Sequence, residues 1–151
     1  MNKNLKYLIY LAAVALTVCL VACGGGQKAG EAQKQAAAGS LVQVMQNAQG
    51  KTALDAQLFS DSTFAGRMKS LTGADYDSIV ANFNTQTPVV VADSVYKLTG
   101  GRAHEVPAYM TTILYDAKAD NLNVIISRDG KPDRRFSEKT EIDVPEALKK
   151  M

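Results

Sequence analysis

Tryptophan is absent from these 151 residues, histidine occurs once, and the only cysteines are Cys19 and Cys23. A lone His104 cannot build a zinc site from several imidazoles, and no thiol beyond residue 23 can serve as a nucleophile or close a disulfide. Two carboxylate pairs, Asp116 with Asp120 and Asp129 with Asp133, sit near turns but lack the ligand density of a calcium loop. Gly100-Gly101 follows a strand-like run yet leads to Pro107 and another strand, whereas a phosphate loop must open a helix. No catalytic residue, cofactor site or metal site is therefore expected, and the chain is not expected to be an enzyme. Charge of one sign is lacking too. The 17 basic and 15 acidic residues become 15 and 15 once Lys3 and Lys6 are set aside, so no basic stripe argues for nucleic acid.

What is present begins at the N-terminus. Lys3 and Lys6 precede an uncharged apolar run from Leu8 to Ala22, the layout of a secretory signal. The run is shorter than the roughly 20 residues of a comfortable transmembrane helix. It ends Leu20-Val21-Ala22-Cys23 and is followed by Gly24-Gly25-Gly26, which resembles the lipobox of bacterial lipoproteins. That resemblance implies a signal peptide over 1–22 and diacylglycerol on the Cys23 thiol. Acyl chains there would contribute about 0.8 kcal/mol per buried CH₂. Gly24 in place of an aspartate after the lipidated cysteine points, by the same resemblance, to the outer membrane, with the domain facing the periplasm. Residues 24–39 are Gly, Ala, Gln, Lys and Glu without a large apolar side chain, so they read as a flexible tether running on from Cys23.

A single α+β domain is expected over 40–151, long enough for one hydrophobic core. Ser40 is placed to cap a helix with Leu41, Val44, Met45 and Ala48 on one face, closed by Gly50. A turn after Thr52 would put Leu54 and Leu58 on one side. Ser60 or Asp61 starts a helix with Phe64, Met68 and Leu71, stopped by Gly73. Asp75 opens another, with Tyr76, Ile79, Val80 and Phe83, ended by Asn84 and Pro88. The polar faces of these stripes lack the Lys/Arg excess of membrane-surface helices, so the stripes read as core faces.

After Pro88 the period changes to that of strands. Val89–Val91, Val95–Leu98 and Met110–Tyr115 are strand-like, and Leu122, Val124 and Ile126 alternate with polar neighbours except where Ile125 interrupts them. Turns are expected at Lys118–Asn121 and at Asp129-Gly130, with a returning strand over Arg134–Ser137. Asp143 is placed to cap a last turn containing Pro145. Helices first and an antiparallel meander after them give an α+β domain, its N-terminal helices packed on one face of the sheet.

The segment Thr99–Pro107 is longer than a tight hairpin and gathers its charges at the tip. Paired glycines would let its backbone turn sharply, and Pro107 would fix its exit. Arg, His and Glu side by side in such a loop suit recognition of a partner. From the Phe64/Met68 helix to Ser127 the chain resembles the Ivy family, periplasmic inhibitors of vertebrate-type lysozyme. The family loop reads Cys-Lys-Pro-His-Asp-Cys, and here Gly101, Arg102, Ala103, His104, Glu105 and Val106 stand in its place. The cysteines are thus replaced by Gly101 and Val106, and the proline by Ala103. The resemblance implies that this loop enters the lysozyme cleft, where His104 meets two catalytic carboxylates. In that reading Glu105 orients the histidine and Arg102 is a rim charge.

Two other classes compete with a lysozyme or muramidase inhibitor. One is a structural or assembly lipoprotein that docks on an outer-membrane complex through the strand edge Val89–Leu98. The other is an envelope hydrolase, for which a nucleophile–base pair is missing.

Overall fold

The structure is a computed structural model that describes residues 40–150. The expected signal peptide, the lipidation site Cys23 and the tether lie outside the described residues. Four α-helices occur among those residues: α1 (Leu41–Ala48), α2 (Ser62–Thr72), α3 (Tyr76–Ala81) and α4 (Glu146–Lys149). Six strands lie between α3 and α4: β1 (Thr85–Gln86), β2 (Val90–Ala92), β3 (Val95–Gly101), β4 (Tyr109–Asp116), β5 (Asn121–Arg128) and β6 (Lys131–Ser137). All pair antiparallel in one sheet of order β1-β3-β4-β5-β6, with β2 alongside β3. The expected α+β class, helices followed by a meander, is the observed one.

The helices form where apolar residues recur at helical spacing. Leu41, Met45 and Ala48 of α1, Phe64 and Met68 of α2, and Tyr76 and Ile79 of α3 are all buried. Asp61 caps α2, its Oδ1 accepting from the Thr63 and Phe64 N–H groups at 2.9 Å each. Gly73 ends α2 with φ +55°. These faces pack on Tyr96, Leu98, Ile113, Tyr115, Leu122, Val124 and Ile126 from the sheet. Phe83, expected on the last helical turn of α3, lies two residues beyond its end but stays in the same core.

Several local expectations are corrected. Ser40 holds the N-cap position of α1 without a side-chain bond, and the helix ends at Ala48, with Gln49 as its C-cap and Gly50 next at φ +79°. Leu54 does not share a side with buried Leu58, since 73% of its surface is exposed. Asp75 makes no cap bond to α3, because both its carboxylate oxygens accept from Arg134 at 2.6 Å. Pro145 takes the N-cap position of α4 and stands outside that helix, so Asp143 does not cap it.

The second face of the sheet is not bare. Val95 and Leu114 pack there with Leu148, joined by Ile125, Ile142 and Val144. Ile125 interrupts the polar face of β5 because the C-terminal segment covers it. Lys97 ties that segment down, its Nζ donating to the Leu148 carbonyl at 2.6 Å, and burial lowers its pKa.

The competing docking edge Val89–Leu98 is only half an edge. Strand β3 is flanked by β4 on one side and by β1 and β2 on the other, so Val95–Leu98 is covered, whereas β2 (Val90–Ala92) pairs with β3 alone. At the far side of the sheet β6 pairs only with β5, and Lys131, Pro132, Asp133, Arg134 and Arg135 are all exposed along it.

The end of the sheet remote from the β3–β4 connection is stapled to the helices by Arg67 of α2. Its Nη1 donates to Asp120 Oδ1 at 2.6 Å and its Nε to Glu138 Oε1 at 2.9 Å, and Nη2 also reaches Glu138. Tyr115 donates its hydroxyl to the same Asp120 oxygen at 2.9 Å. Burial and that bond push the Tyr115 pKa up to about 12, and the Arg67 hydrogen bond holds the Asp120 carboxyl below its ordinary value.

Candidate functional site

The expected recognition loop is shorter than its sequence suggested. Thr99, Gly100 and Gly101 belong to β3, paired with Thr112, Thr111 and Met110 of β4, which leaves residues 102–108 as the connection. Neither glycine serves by conformational freedom. A Cβ on Gly100 would collide with the Phe83 ring, and one on Gly101 would stand 2.5 Å from both the Tyr109 carbonyl oxygen and the Val106 Cγ2 methyl. They are glycines for close approach.

The left-handed residue is His104 itself, with φ +64°. The Glu105 N–H donates to the Arg102 carbonyl at 3.0 Å, closing a four-residue turn with His104 in third place. A positive φ at that place is the signature of a type II turn, a position usually given to glycine or asparagine. The imidazole therefore stands at the apex of a closed turn, exposed, with no side-chain hydrogen bond among the described residues. Next, the Tyr109 N–H donates to the Glu105 carbonyl at 2.8 Å, enclosing Val106, the cis-linked Pro107 and Ala108. The Asp129 N–H then donates to the Ala108 carbonyl at 2.7 Å, fastening the loop to the β5–β6 turn.

Side chains brace the same turn. Arg102 Nη1 donates to both Glu105 carboxylate oxygens, at 3.1 and 3.0 Å, and its Nε donates to Asn82 Oδ1 at 2.9 Å. Its guanidinium also lies 4.9 Å from the centroid of the buried Tyr109 ring. This revises two expected roles. Glu105 is engaged by Arg102 rather than by the histidine, and Arg102 is the clasp of the loop rather than a charge on its rim. Ala103, Glu105 and Val106 are exposed beside His104, whereas Gly101 is buried beneath them.

Three residues of this site were not singled out in the sequence. Asn82 lies 20 positions before its partner Arg102 and has no sequence signal. Tyr109, just past Pro107, reads only as a strand aromatic. Arg128 stands opposite Tyr109 in the β4–β5 register, 5.2 Å from its ring centroid, and only the hairpin pairing brings it there.

Among the described residues, no group of three or more His, Cys, Asp or Glu side chains is arranged to hold a metal ion, and no helix is long and apolar enough to cross a membrane. No curated protein and no solved structure matches the chain. A family model described as inhibitor of vertebrate lysozyme (Ivy) matches residues 63–151, well over half of the sequence, including all six strands and the whole 102–108 loop. The chain belongs to the Ivy family, whose members are lysozyme inhibitors and not enzymes.

Proposed function

We propose that this protein is a lipid-anchored inhibitor of lysozyme-type muramidases, held to the outer membrane through Cys23, and that the 102–108 loop is its inhibitory element. The observation that carries the reading is the exposed His104 at the apex of a turn closed by backbone bonds and by the Arg102–Glu105 pair. A retaining glycosidase presents two carboxyl groups about 5–5.5 Å apart at its catalytic centre. An imidazole between them donates one hydrogen bond when neutral and two when protonated, the latter charge-assisted. Binding there blocks the acid and the nucleophile together.

The family loop is closed by two cysteines; this one has Gly101 and Val106. What replaces the crosslink is a set of non-covalent constraints: the three backbone bonds, the Arg102 clasp and the packing of Val106 over Gly101. A loop ordered before binding loses less entropy on association, which supports inhibition without a disulfide. In a turbidity assay of peptidoglycan lysis, stoichiometric protein is expected to slow a vertebrate lysozyme. His104→Ala should weaken inhibition by about 1.5–3 kcal/mol, the scale of a hydrogen bond to a charged group. Undiminished lysis at high micromolar protein, across animal and bacterial lysozymes, refutes the reading.

A further inference from the structure

Tyr109 is the first residue of β4, and both its main chain and its ring meet the 102–108 loop. Its N–H donates to the Glu105 carbonyl at 2.8 Å. Its ring is buried in the core that the helices share with the sheet. The Arg102 guanidinium lies over that ring, 4.9 Å from its centroid, and Arg128, opposite Tyr109 in the β4–β5 register, lies over it at 5.2 Å. The Tyr109 hydroxyl is buried and has no hydrogen-bond partner among the described residues. What Tyr109 offers its surroundings is therefore the flat of its ring and not its polar tip.

From this arrangement we infer that Tyr109 is a positioning residue for inhibition: its ring fixes the plane of the Arg102 guanidinium and, through it, the Glu105 side of the turn that carries His104. The inference rests on the inhibitor reading above. An ion pair as exposed as Arg102–Glu105 holds little by charge alone, because solvent screens it and two long side chains must be ordered. A guanidinium is flat, with its donors pointing outward in one plane. With that plane set by a ring, Nε meets Asn82 Oδ1 at 2.9 Å and Nη1 meets the Glu105 carboxylate at 3.0 and 3.1 Å. Asn82 is the C-cap of α3 and Tyr109 opens β4, so the loop is referenced to two elements outside itself. A loop held in this way loses less freedom on binding.

The test measures inhibition of a vertebrate lysozyme by the full chain and its variants, with thermal melts and amide exchange alongside. Tyr109→Leu stays apolar but loses the flat face, and it should weaken inhibition about tenfold, the scale of a desolvated cation–π contact. Tyr109→Phe keeps the ring without the buried hydroxyl, so it should recover inhibition with a melting temperature no lower than the parent's. Arg102→Lys keeps the charge and loses the plane, and its inhibition should fall as far as that of Arg102→Ala. In Arg102→Lys the Glu105 and Tyr109 amides should exchange faster, while the Val124 amide in the middle of β5 is unchanged. In the Arg102→Ala background, Tyr109→Leu should add no further loss of inhibition although it still lowers the melting temperature. If Tyr109→Leu does not fold, Arg102→Lys and Tyr109→Phe decide. Parent-level inhibition by Arg102→Lys, lost inhibition in a folded Tyr109→Phe, or additive losses from Tyr109→Leu and Arg102→Ala each overturn the inference and leave the inhibitor reading standing. Absence of inhibition by the parent chain sinks that reading, and this inference with it.

Discussion

The Cγ2 methyl of Val106 stands 2.5 Å from where a side chain on Gly101 would begin. By the resemblance drawn from the sequence these two positions correspond to the cysteines of the family loop, and the valine methyl fills the space in which a side chain at 101 would reach toward 106. Gly101→Ala should therefore cost about 1–3 kcal/mol by overpacking, because the Tyr109 carbonyl on the other side is backbone and cannot swing away. Denaturant unfolding monitored by circular dichroism measures it, and a neutral Gly101→Ala contradicts the packing. Restoring both cysteines should recover part of that loss under oxidising conditions only, read as a difference in melting temperature with and without reductant.

Phe83 should behave as a core residue despite lying outside α3. It is buried, lies 5.2 Å from the Phe59 ring in an edge arrangement, and fills the space above Gly100. Phe83→Ala is expected to cost about 3–5 kcal/mol in denaturant unfolding. A near-neutral result, with Ile79→Ala equally silent, would mean that this face is not core.

The clasp makes a different prediction. Arg102 and Glu105 side chains are 44% and 48% exposed, so the pair should contribute less than about 1 kcal/mol to global stability. Its effect belongs in binding. Arg102→Ala and Glu105→Gln should each weaken inhibition, and the double variant should be no worse than the more damaging single one. Additive losses would show that the two residues contact the lysozyme independently.

Two titrations bound the stability of the sheet's far end. The folded state holds the Tyr115 proton up to about pH 12, against an ordinary value of 10.0, so stability should fall as pH rises between those values. Asp120 acts at the other extreme. Its lowered carboxyl pKa stabilises the fold above the ordinary carboxylate range, and that contribution fades as pH drops through the folded value. Tyr115→Phe should flatten the alkaline slope and Asp120→Asn the acidic one. Unchanged slopes in melts across pH would contradict the Arg67–Asp120–Tyr115 network.

The anchor is testable without reference to the fold. Cys23→Ser should abolish lipid labelling and leave an unprocessed precursor, while limited proteolysis should trim residues 24–39 and stop near Ser40. Labelling and processing that survive the substitution would remove the lipoprotein proposal.

Periodicity carried most of the fold. Leu41/Met45/Ala48, Phe64/Met68 and Tyr76/Ile79 repeat at helical spacing, and Leu122/Val124/Ile126 alternate as strands do, because burial on one face imposes those periods. What the sequence hid was non-local. Ile125 looked like a flaw until the C-terminal segment was found covering it, and Leu54 looked apolar enough to bury but had no partner. The loop was legible as a charged connection between two strands, and the pairing of its charges was not. Adjacency in sequence paired Glu105 with His104, whereas the turn brings Glu105 back to Arg102 three residues earlier. Asn82 and Arg128 join them only through tertiary contact, to which local spacing is blind.

If the proposed anchor at Cys23 holds, the outer strand β6 has a consequence for copies concentrated on a membrane. Proteins fixed to a membrane meet one another far more often than in free solution, and an open sheet edge is a template on which a neighbour's strand can grow. Here that edge carries Lys131, Asp133, Arg134 and Arg135, and Pro132 removes one of its N–H donors. Charge and a missing donor make edge-to-edge pairing unfavourable. Anchored copies crowded side by side should therefore not pair through β6.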